Sequence, residues 1–280
     1  MGSGIQSVSL IITTYNWPDA LRFLLASVAA QVRPPDEMIV ADDGSGPETA
    51  RIVHDILGSS GLRWCHVRHE DSGLRQARVK NLGVKYSRGT YLIFVDHDVV
   101  LHPHFVGDHL YMAQNGTFLQ GKRSFLSERY TKKLFEKGIF SWPSVLAPGM
   151  ENRKNAFRFR TISRMMARPK GFQVDLRGCN LSMFRKDFLL VDGYDEVFDQ
   201  LWGREDSDIC YRLFHSGFRI RNLWFSGLQC HLYHKVIKRQ EKDRLDEELL
   251  RVRLEKRRRA KKGFSCLSGE GEIVAASRDF

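Results

Sequence analysis

The stretch T-Y-L-I-F-V-D-H-D, from Thr90 to Asp98, sets an unbroken apolar run against two acids that close it. Residues 90–95 show no polar alternation, so the strand they predict is buried on both faces, as in a parallel sheet covered by helices on each side. In extended backbone, residues i and i+2 point the same way, which aims Asp96 and Asp98 at one spot beyond the strand's carboxyl end. Two hard oxygen donors there suit a divalent cation such as Mg²⁺ or Mn²⁺, completed by phosphate oxygens and water. Acids in a D-x-D triplet also cap turns, and the triplet by itself leaves both readings open.

Upstream of this strand the sequence alternates β-rich and helical patterns. Residues 7–13 read as a strand, followed by Asn16 as a helix cap and Pro18 in the first turn. Leu21, Leu24, Leu25 and Val28 then recur at i, i+3, i+4 and i+7, one apolar helix face. A strand at 37–41 runs into the turn Asp42-Asp43-Gly44-Ser45, and Ala50, Val53 and Leu57 mark the next helix. Residues 62–67 predict a third strand and 74–86 a helix. Repeated β-α units imply a parallel sheet with right-handed crossovers, whose carboxyl edge binds the ligand. Thr13, Tyr15, Asp42 and Asp43 fall at that edge, as ligand contacts or as ordinary turn formers.

Downstream, periodicity weakens over 118–170, where Pro143, Pro148, Gly149 and Pro169 interrupt a basic, partly helical stretch that reads as an acceptor-side region. Order returns at 176–184, in a helix over about 204–216 and in a strand over 218–225. The acids of Trp202-Gly203-Arg204-Glu205-Asp206 open that helix, where negative charge complements the helix dipole. Trp202 and Gly203 before them offer a flat apolar surface for a sugar ring or base and a flexible approach for a general base. His231 and His234, in C-H-L-Y-H, follow the last strand and can bring an imidazole to the same cation. Residues 238–262 predict an appended basic helix with an apolar face of Leu245, Leu249, Leu250, Val252 and Leu254. The Gly- and Ser-rich end, 263–280, reads as frayed.

With 280 residues and 42% hydrophobic content the chain can bury a sizeable core, and collagen-like, mucin-like and coiled-coil classes are excluded. Its apolar runs fall far short of the roughly 20 residues that cross a bilayer. The start lacks the pattern of a secretory signal, and five cysteines without a C-x-x-C spacing suit free thiols in a reducing compartment. The expected location is therefore the cytoplasm. Net charge is +11, and residues 122–170 and 238–262 contribute +10 and +6. The rest is slightly acidic, so the basicity belongs to particular surfaces and points to an anionic partner, such as the inner face of the cytoplasmic membrane. For 238–262 a solvated charged helix explains the pattern equally well.

Taken in order, S-L-I-I-T-T-Y-N, V-A-D-D-G-S, S-G-L-R-Q-A-R-V-K-N-L-G, Y-L-I-F-V-D-H-D and F-D-Q-L-W-G-R-E-D-S-D resemble the inverting family 2 glycosyltransferases, whose α/β fold is called GT-A. The last segment is similar to the W-G-x-E-D element of galactosyltransferase-like and chondroitin-polymerase-like enzymes. The resemblance implies a Rossmann-like, mostly parallel central sheet flanked by helices, with a nucleotide-binding half at 7–100, an acceptor and catalytic half at 101–237, and a helical extension at 238–280. It implies that Thr13 and Tyr15 line a uracil base, that Asp43, with Asp42 a less favoured substitute, accepts a hydrogen bond from it, and that Arg75, Arg78 and Lys80 approach the diphosphate. Asn81 would only cap a turn. Asp96 would meet the ribose or a water beside the metal, and Asp98 would bind Mn²⁺ or Mg²⁺, with His231 preferred over His234 as a further ligand. Asp206 matches the catalytic base, Glu205 would orient the acceptor hydroxyl, and Trp202 would flank the sugar. This chain departs from the family in having His97 inside the D-x-D and Gln200-Leu201 before Trp202.

The reaction so implied passes a sugar from a UDP-sugar to a hydroxyl of a glycan or lipid-linked glycan, with inversion, in bacterial surface polysaccharide or lipopolysaccharide synthesis. A nucleic-acid-binding role would meet repulsion between the phosphate backbone and Asp42, Asp43, Asp96 and Asp98. A non-catalytic sugar-nucleotide or glycan-binding module leaves Asp206 without a task. A nucleotidyltransferase would need a glycine-rich phosphate loop where Thr13-Thr14-Tyr15-Asn16 stands.

Overall fold

The computed structural model describes residues 5–138, 142–171, 177–200, 203–235, 242–267, 269 and 271–280. Its first half alternates β1 (Val8–Thr14), α1 (Pro18–Ala29), β2 (Glu37–Asp42), α2 (Pro47–Leu57), β3 (Trp64–Arg68), α3 (Gln76–Tyr86) and β4 (Tyr91–Asp96). The strands β4, β1, β2 and β3 lie side by side and parallel. Strand alternation divides their side chains between two layers. Val8, Leu10 and Ile12 of β1 and Tyr91, Ile93 and Val95 of β4 pack with Leu21, Leu24, Leu25 and Val28 of α1. Ile11, Leu92 and Phe94 face Ala77, Val79 and Leu82 of α3 on the other side. Both faces are covered, which is why the run before Asp96 has no polar position. Asn16 does not cap α1, as expected from its place; the helix starts after Trp17 with no side-chain cap. Asn16 instead has φ 44° and accepts the Gly46 N–H at 3.0 Å, tying together the loops after β1 and β2.

The second half is less regular. It contributes β5 (Val99–Leu101), α4 (Phe105–Met112), β6 (Thr117–Gln120), β7 (Ser124–Leu126), α5 (Glu128–Lys137), β8 (Met150–Glu151), α6 (Arg160–Met166), β9 (Leu181–Phe184), α7 (Arg185–Leu190), α8 (Glu205–His215), β10 (Arg219–Asn222), β11 (Gln229–His231), α9 (Lys242–Leu254) and β12 (Glu272–Ala276). One sheet runs β10-β6-β9-β4-β1-β2-β3-β12, and a smaller one runs β5-β11-β7-β8. The large sheet is mostly parallel, as expected, but β9 lies antiparallel to both β4 and β6, and β12 antiparallel to β3.

The C-terminal extension is shorter as a helix and better anchored than its composition predicts. Of the apolar residues of α9, Leu245, Leu249 and Val252 are buried against Phe198 and Tyr211, whereas Leu250 and Leu254 face solvent. Beyond α9 the fully buried carboxylate of Asp195 accepts the N–H groups of Lys261 and Lys262 at 2.7 and 3.1 Å. Asp192 takes the N–H and hydroxyl of Ser265, both at 2.8 Å. The expected frayed tail then adds β12 to the sheet edge. Backbone hydrogen bonds to β3 form that strand, whose short Glu-Ile-Val-Ala-Ala run shows no alternation of apolar and polar residues. Replacing Asp195 by Ala removes the shared acceptor of the Lys261 and Lys262 N–H groups. The expected outcome is a loss of about 2–4 kcal/mol in urea unfolding, with faster tryptic cleavage after Lys261 and Lys262; unchanged stability and cleavage would contradict the latch.

Candidate active site

Where β4 ends, the antiparallel β9 decides what stands beside it. Phe94 is paired with Leu181, so the residues just before β9, Gly178 to Asn180, run past the acids that follow β4. The Gly178 N–H donates to Asp206 Oδ2 at 2.6 Å. A Cβ at Gly178 would sit 2.1 Å from Asp206 Oδ1, so only glycine permits this approach. Burial pushes the Cys179 thiol up to about 12, against the pull of Arg123, and Asp96, Asp98 and Asp206 all add to the push. Asp206 is thus held beside the segment that runs past the end of β4.

Lys80 does not extend towards a diphosphate, as the sequence suggested. It lies almost wholly inside, its Nζ 2.8 Å from Asp206 Oδ1, 3.1 Å from Glu205 Oε1 and 4.9 Å from the centre of the Tyr194 ring. Burial alone would lower its pKa, but Asp206 and Glu205 reverse this and hold it well above the usual lysine value. Burial raises the pKa of Glu205, with the charge of Asp206 adding to it. Glu205 is turned inward and spent on Lys80, whereas the Asp206 side chain keeps 19% of its surface exposed. Helix α8 is aimed by a turn in which Gly203 and Arg204 both have positive φ, 95° and 85°. Arg204 fixes the turn through Asp246 of α9 at 2.5 Å.

Asn81 does more than cap a turn. Fully buried, it donates to the Tyr194 carbonyl at 2.8 Å and accepts the Tyr194 N–H at 2.9 Å, gripping the loop under Lys80. Asp199 accepts the N–H groups of Ala77 and Arg78 at 2.8 and 3.2 Å and so caps α3 from a distant loop.

The two acids of D-H-D part company. The chain turns at His97 and Asp98, leaving the large sheet and entering the small one. Asp96 Oδ1 accepts the Thr13 hydroxyl at 2.8 Å, away from the histidines. Asp98 joins β5, which pairs with β11 so that His231 stands opposite Val99. Asp98 Oδ2 lies 3.0 Å from His231 Nε2 and 3.2 Å from His234 Nε2. One ligand atom from each of these three residues falls within 4.8 Å of the others, so both histidines belong to the group and Asp96 does not. Burial would raise the pKa of Asp98, but hydrogen bonds from His231 and His234 and the charge of His231 outweigh it and hold the carboxyl well below the usual range.

These residues fit a divalent cation. His231 Nδ1 lies 2.7 Å from the Leu232 carbonyl and His234 Nδ1 3.1 Å from that of Lys235. Both Nδ1 atoms are thus occupied by backbone carbonyls, and both Nε2 atoms are aimed at Asp98 Oδ2, so the three groups can close on one cation. Asp98 Oδ1 is also buried with no hydrogen-bond partner among the described residues. His97 serves a different end. Its Nδ1 accepts the Tyr15 N–H at 3.2 Å, and burial keeps its pKa low. Trp17 stands edge-on to both His97 and His234, with ring centres 5.9 and 5.8 Å away.

On the nucleotide side, Tyr15 is 39% exposed, with its hydroxyl 3.1 Å from Asp71. Asp42 is turned inward, engaged by His66 Nε2 at 2.9 Å and the Ser45 N–H at 2.7 Å. Asp43 meets His69 Nε2 at 2.6 Å and the Arg75 N–H at 3.0 Å. A cleft of about 600 Å³ beside this loop is lined in part by Asp71, Arg75 and Arg78 and reaches Gly269 and Glu272 in the C-terminal segment. Arg75 also contacts the Glu70 carbonyl, and Arg78 lies 3.5 Å from Glu196. None of Asp96, Asp98 or Asp206 lines that cleft. Trp202 lies outside the described residues.

The mostly parallel α/β sheet flanked by helices is the GT-A fold. Residues 9–189 match the family described as glycosyl transferase family 2, and the chain belongs to it. Residues 162–235, which include the W-G-R-E-D element and both histidines, match the family described as N-terminal domain of galactosyltransferase. The chain is 26% identical to a chondroitin synthase of Escherichia coli over 89% of its own length and 38% of the relative's. It is 26% identical to a hyaluronan synthase of Pasteurella multocida over 85% of its length and 25% of the relative's. The chain therefore spans well under half of these relatives. Among solved structures, TarS of S. aureus (residues 1–349) superposes with a TM-score of 0.60 at 16% identity, covering 90% of this chain and 65% of that one. The protein is a glycosyltransferase, and no helix among the described residues is long and apolar enough to cross a membrane.

The Gly178 contact yields a sharp test. Replacing Gly178 by Ala pushes the Asp206 carboxylate aside, and a displacement of this order costs about 100-fold in turnover. The circular dichroism spectrum should stay as in the unaltered protein; full activity of Gly178→Ala would remove the contact from the site. Lys80→Met leaves the buried Glu205 without its partner and Asp206 with only the Gly178 N–H, and a loss of about 3–5 kcal/mol in urea unfolding is expected.

Proposed function

We propose that this glycosyltransferase transfers a sugar from a UDP-sugar, with inversion, to a hydroxyl of a glycan or lipid-linked glycan in bacterial cell-surface polysaccharide or lipopolysaccharide synthesis. The observation that carries the reading is the placement of Asp206, one oxygen on the Gly178 N–H and the other on Lys80, beside the segment that runs past the end of β4. Asp206 is presented to solvent and fixed in direction, as a base that must meet an incoming hydroxyl requires. It takes the acceptor's proton as that oxygen attacks the sugar carbon on the face opposite the diphosphate. Glu205 is withdrawn on Lys80, which leaves one carboxylate to act and favours single displacement over a double one.

Asp98, His231 and His234 would hold Mn²⁺ or Mg²⁺, and the two imidazole nitrogens favour Mn²⁺. When bound, the cation supplies charge that offsets what develops on the departing diphosphate. Asp96 is left, with Thr13, for the ribose. Tyr15 and Asp43 stand at the base, and Arg75 and Arg78 beside the phosphates. The TarS structures include complexes with UDP-GlcNAc and with UDP, which supports a uridine nucleotide donor. The polysaccharide synthases among the relatives support a glycan acceptor.

Calorimetric titration with UDP, with and without Mn²⁺, separates these roles. Asp98→Ala is expected to remove the gain in affinity that Mn²⁺ gives the unaltered chain, whereas Asp206→Asn keeps it and loses about 10²–10⁴ in transfer. Equal affinity in all three proteins with no metal effect would refute the assignment. Proton couplings at the new linkage should report the β configuration from an α-linked donor.

A further inference from the structure

Between Arg153 and Lys170 the chain carries Arg153, Lys154, Arg158, Arg160, Arg164, Arg168 and Lys170, with no acid among them. The same segment exposes Phe157, Phe159, Ile162, Met165 and Met166, each 40% exposed or more, with Met165 at 71%. This density of large apolar side chains on one short surface segment marks a docking site rather than ordinary scatter.

The segment is firmly seated. The Phe159 N–H donates to the Phe225 carbonyl at 2.9 Å, the Ser163 hydroxyl meets that of Ser226 at 2.5 Å, and Arg221 Nε donates to the Ala167 carbonyl at 2.7 Å. Ser163 and Ala167 thereby face inward, one turn apart. Arg160 and Arg164, also one turn apart, flank the helix over the Tyr111 ring at 3.6 and 5.2 Å. Ile162, Met165 and Met166 are left pointing away from the body, beside the paired rings of Phe157 and Phe159. Residues 220–226, on which the segment rests, lead directly into β11 and His231.

We infer that this face, α6 with Phe157 and Phe159, docks on an anionic lipid bilayer. Apolar side chains rimmed by arginine and lysine meet the two demands of a lipid interface, a shallow apolar layer and negative headgroups above it. Long basic side chains bury their stems and keep their charges at the headgroups. The assignment refines the membrane expectation drawn from charge alone, which drew on both basic segments, 122–170 and 238–262. It builds on the lipid-linked acceptor reading, and its test reads vesicle binding, so it can fail while donor binding and transfer stand.

Sedimentation of the full chain with vesicles of phosphatidylcholine, with and without phosphatidylglycerol, provides the test. The protein should bind the anionic vesicles and not the neutral ones. The paired change Ile162→Asp with Met165→Asp touches only exposed side chains and should weaken binding roughly tenfold or more, with thermal unfolding and UDP titration as in the unaltered chain. Ile162→Ser with Met165→Ser should weaken it in the same direction. Reversing Lys256 and Arg258 to Glu, beyond α9, should leave binding within about twofold. Failure to bind anionic vesicles, binding indifferent to both α6 pairs, or loss confined to the C-terminal pair would overturn the inference. So would single-stranded RNA displacing the protein from vesicles to which the α6 variants bind normally.

Discussion

A buried ammonium group holds the two halves of this enzyme together. Lys80 leaves water to stand between Glu205 and Asp206 under the Tyr194 ring, and its desolvation is offset only while both carboxylates stay in place. Lys80 belongs to α3, in the half that resembles a nucleotide-binding unit, and its partners open α8. Asn81, the next residue, grips Tyr194, and Asp199 reaches back to cap the same helix. Helix α3 is thus the scaffold from which Asp206 is aimed, and the direction of that carboxylate is set by groups remote from it in the chain.

The group of Asp98, His231 and His234 obeys a different constraint. At His97 and Asp98 the backbone leaves one sheet for another, and the three side chains meet at that change of direction. Asp96 stays with the large sheet through Thr13, and Asp98 goes with the small sheet to the histidines of the β11 segment. The closeness of Asp98 to His231 and His234 therefore depends on the β5–β11 pairing, and backbone hydrogen bonds gather the three side chains. The β10–β11 connection that delivers the histidines also underlies the basic, apolar surface at α6.

The first hundred residues were the most legible, because repeating β-α units bury alternate residues in two layers and each strand announces its own burial. Asp98, Asp206 and His231 stood out because ionisable residues follow apolar strands or open a helix there. Among the revised readings, three show why. Asp96 was grouped with Asp98 by strand alternation, which fails where the backbone turns. Lys80 was placed at the diphosphate by the resemblance, and nothing in its local sequence signals the two acids 125 and 126 residues away that hold it. The last residues were read as frayed because an edge strand formed through its backbone needs no side-chain pattern.

The sequence by itself determined the layered α/β class, the family and the acids at the end of β4, since periodicity and motif order are local properties of the chain. Tertiary structure alone decided that β9 runs antiparallel beside β4, that Gly178 and Lys80 hold Asp206, and that both histidines meet Asp98. Those contacts join segments scores of residues apart, and which of them form depends on strand direction, close backbone approach and the desolvation of charge, none of which is encoded in the neighbouring residues.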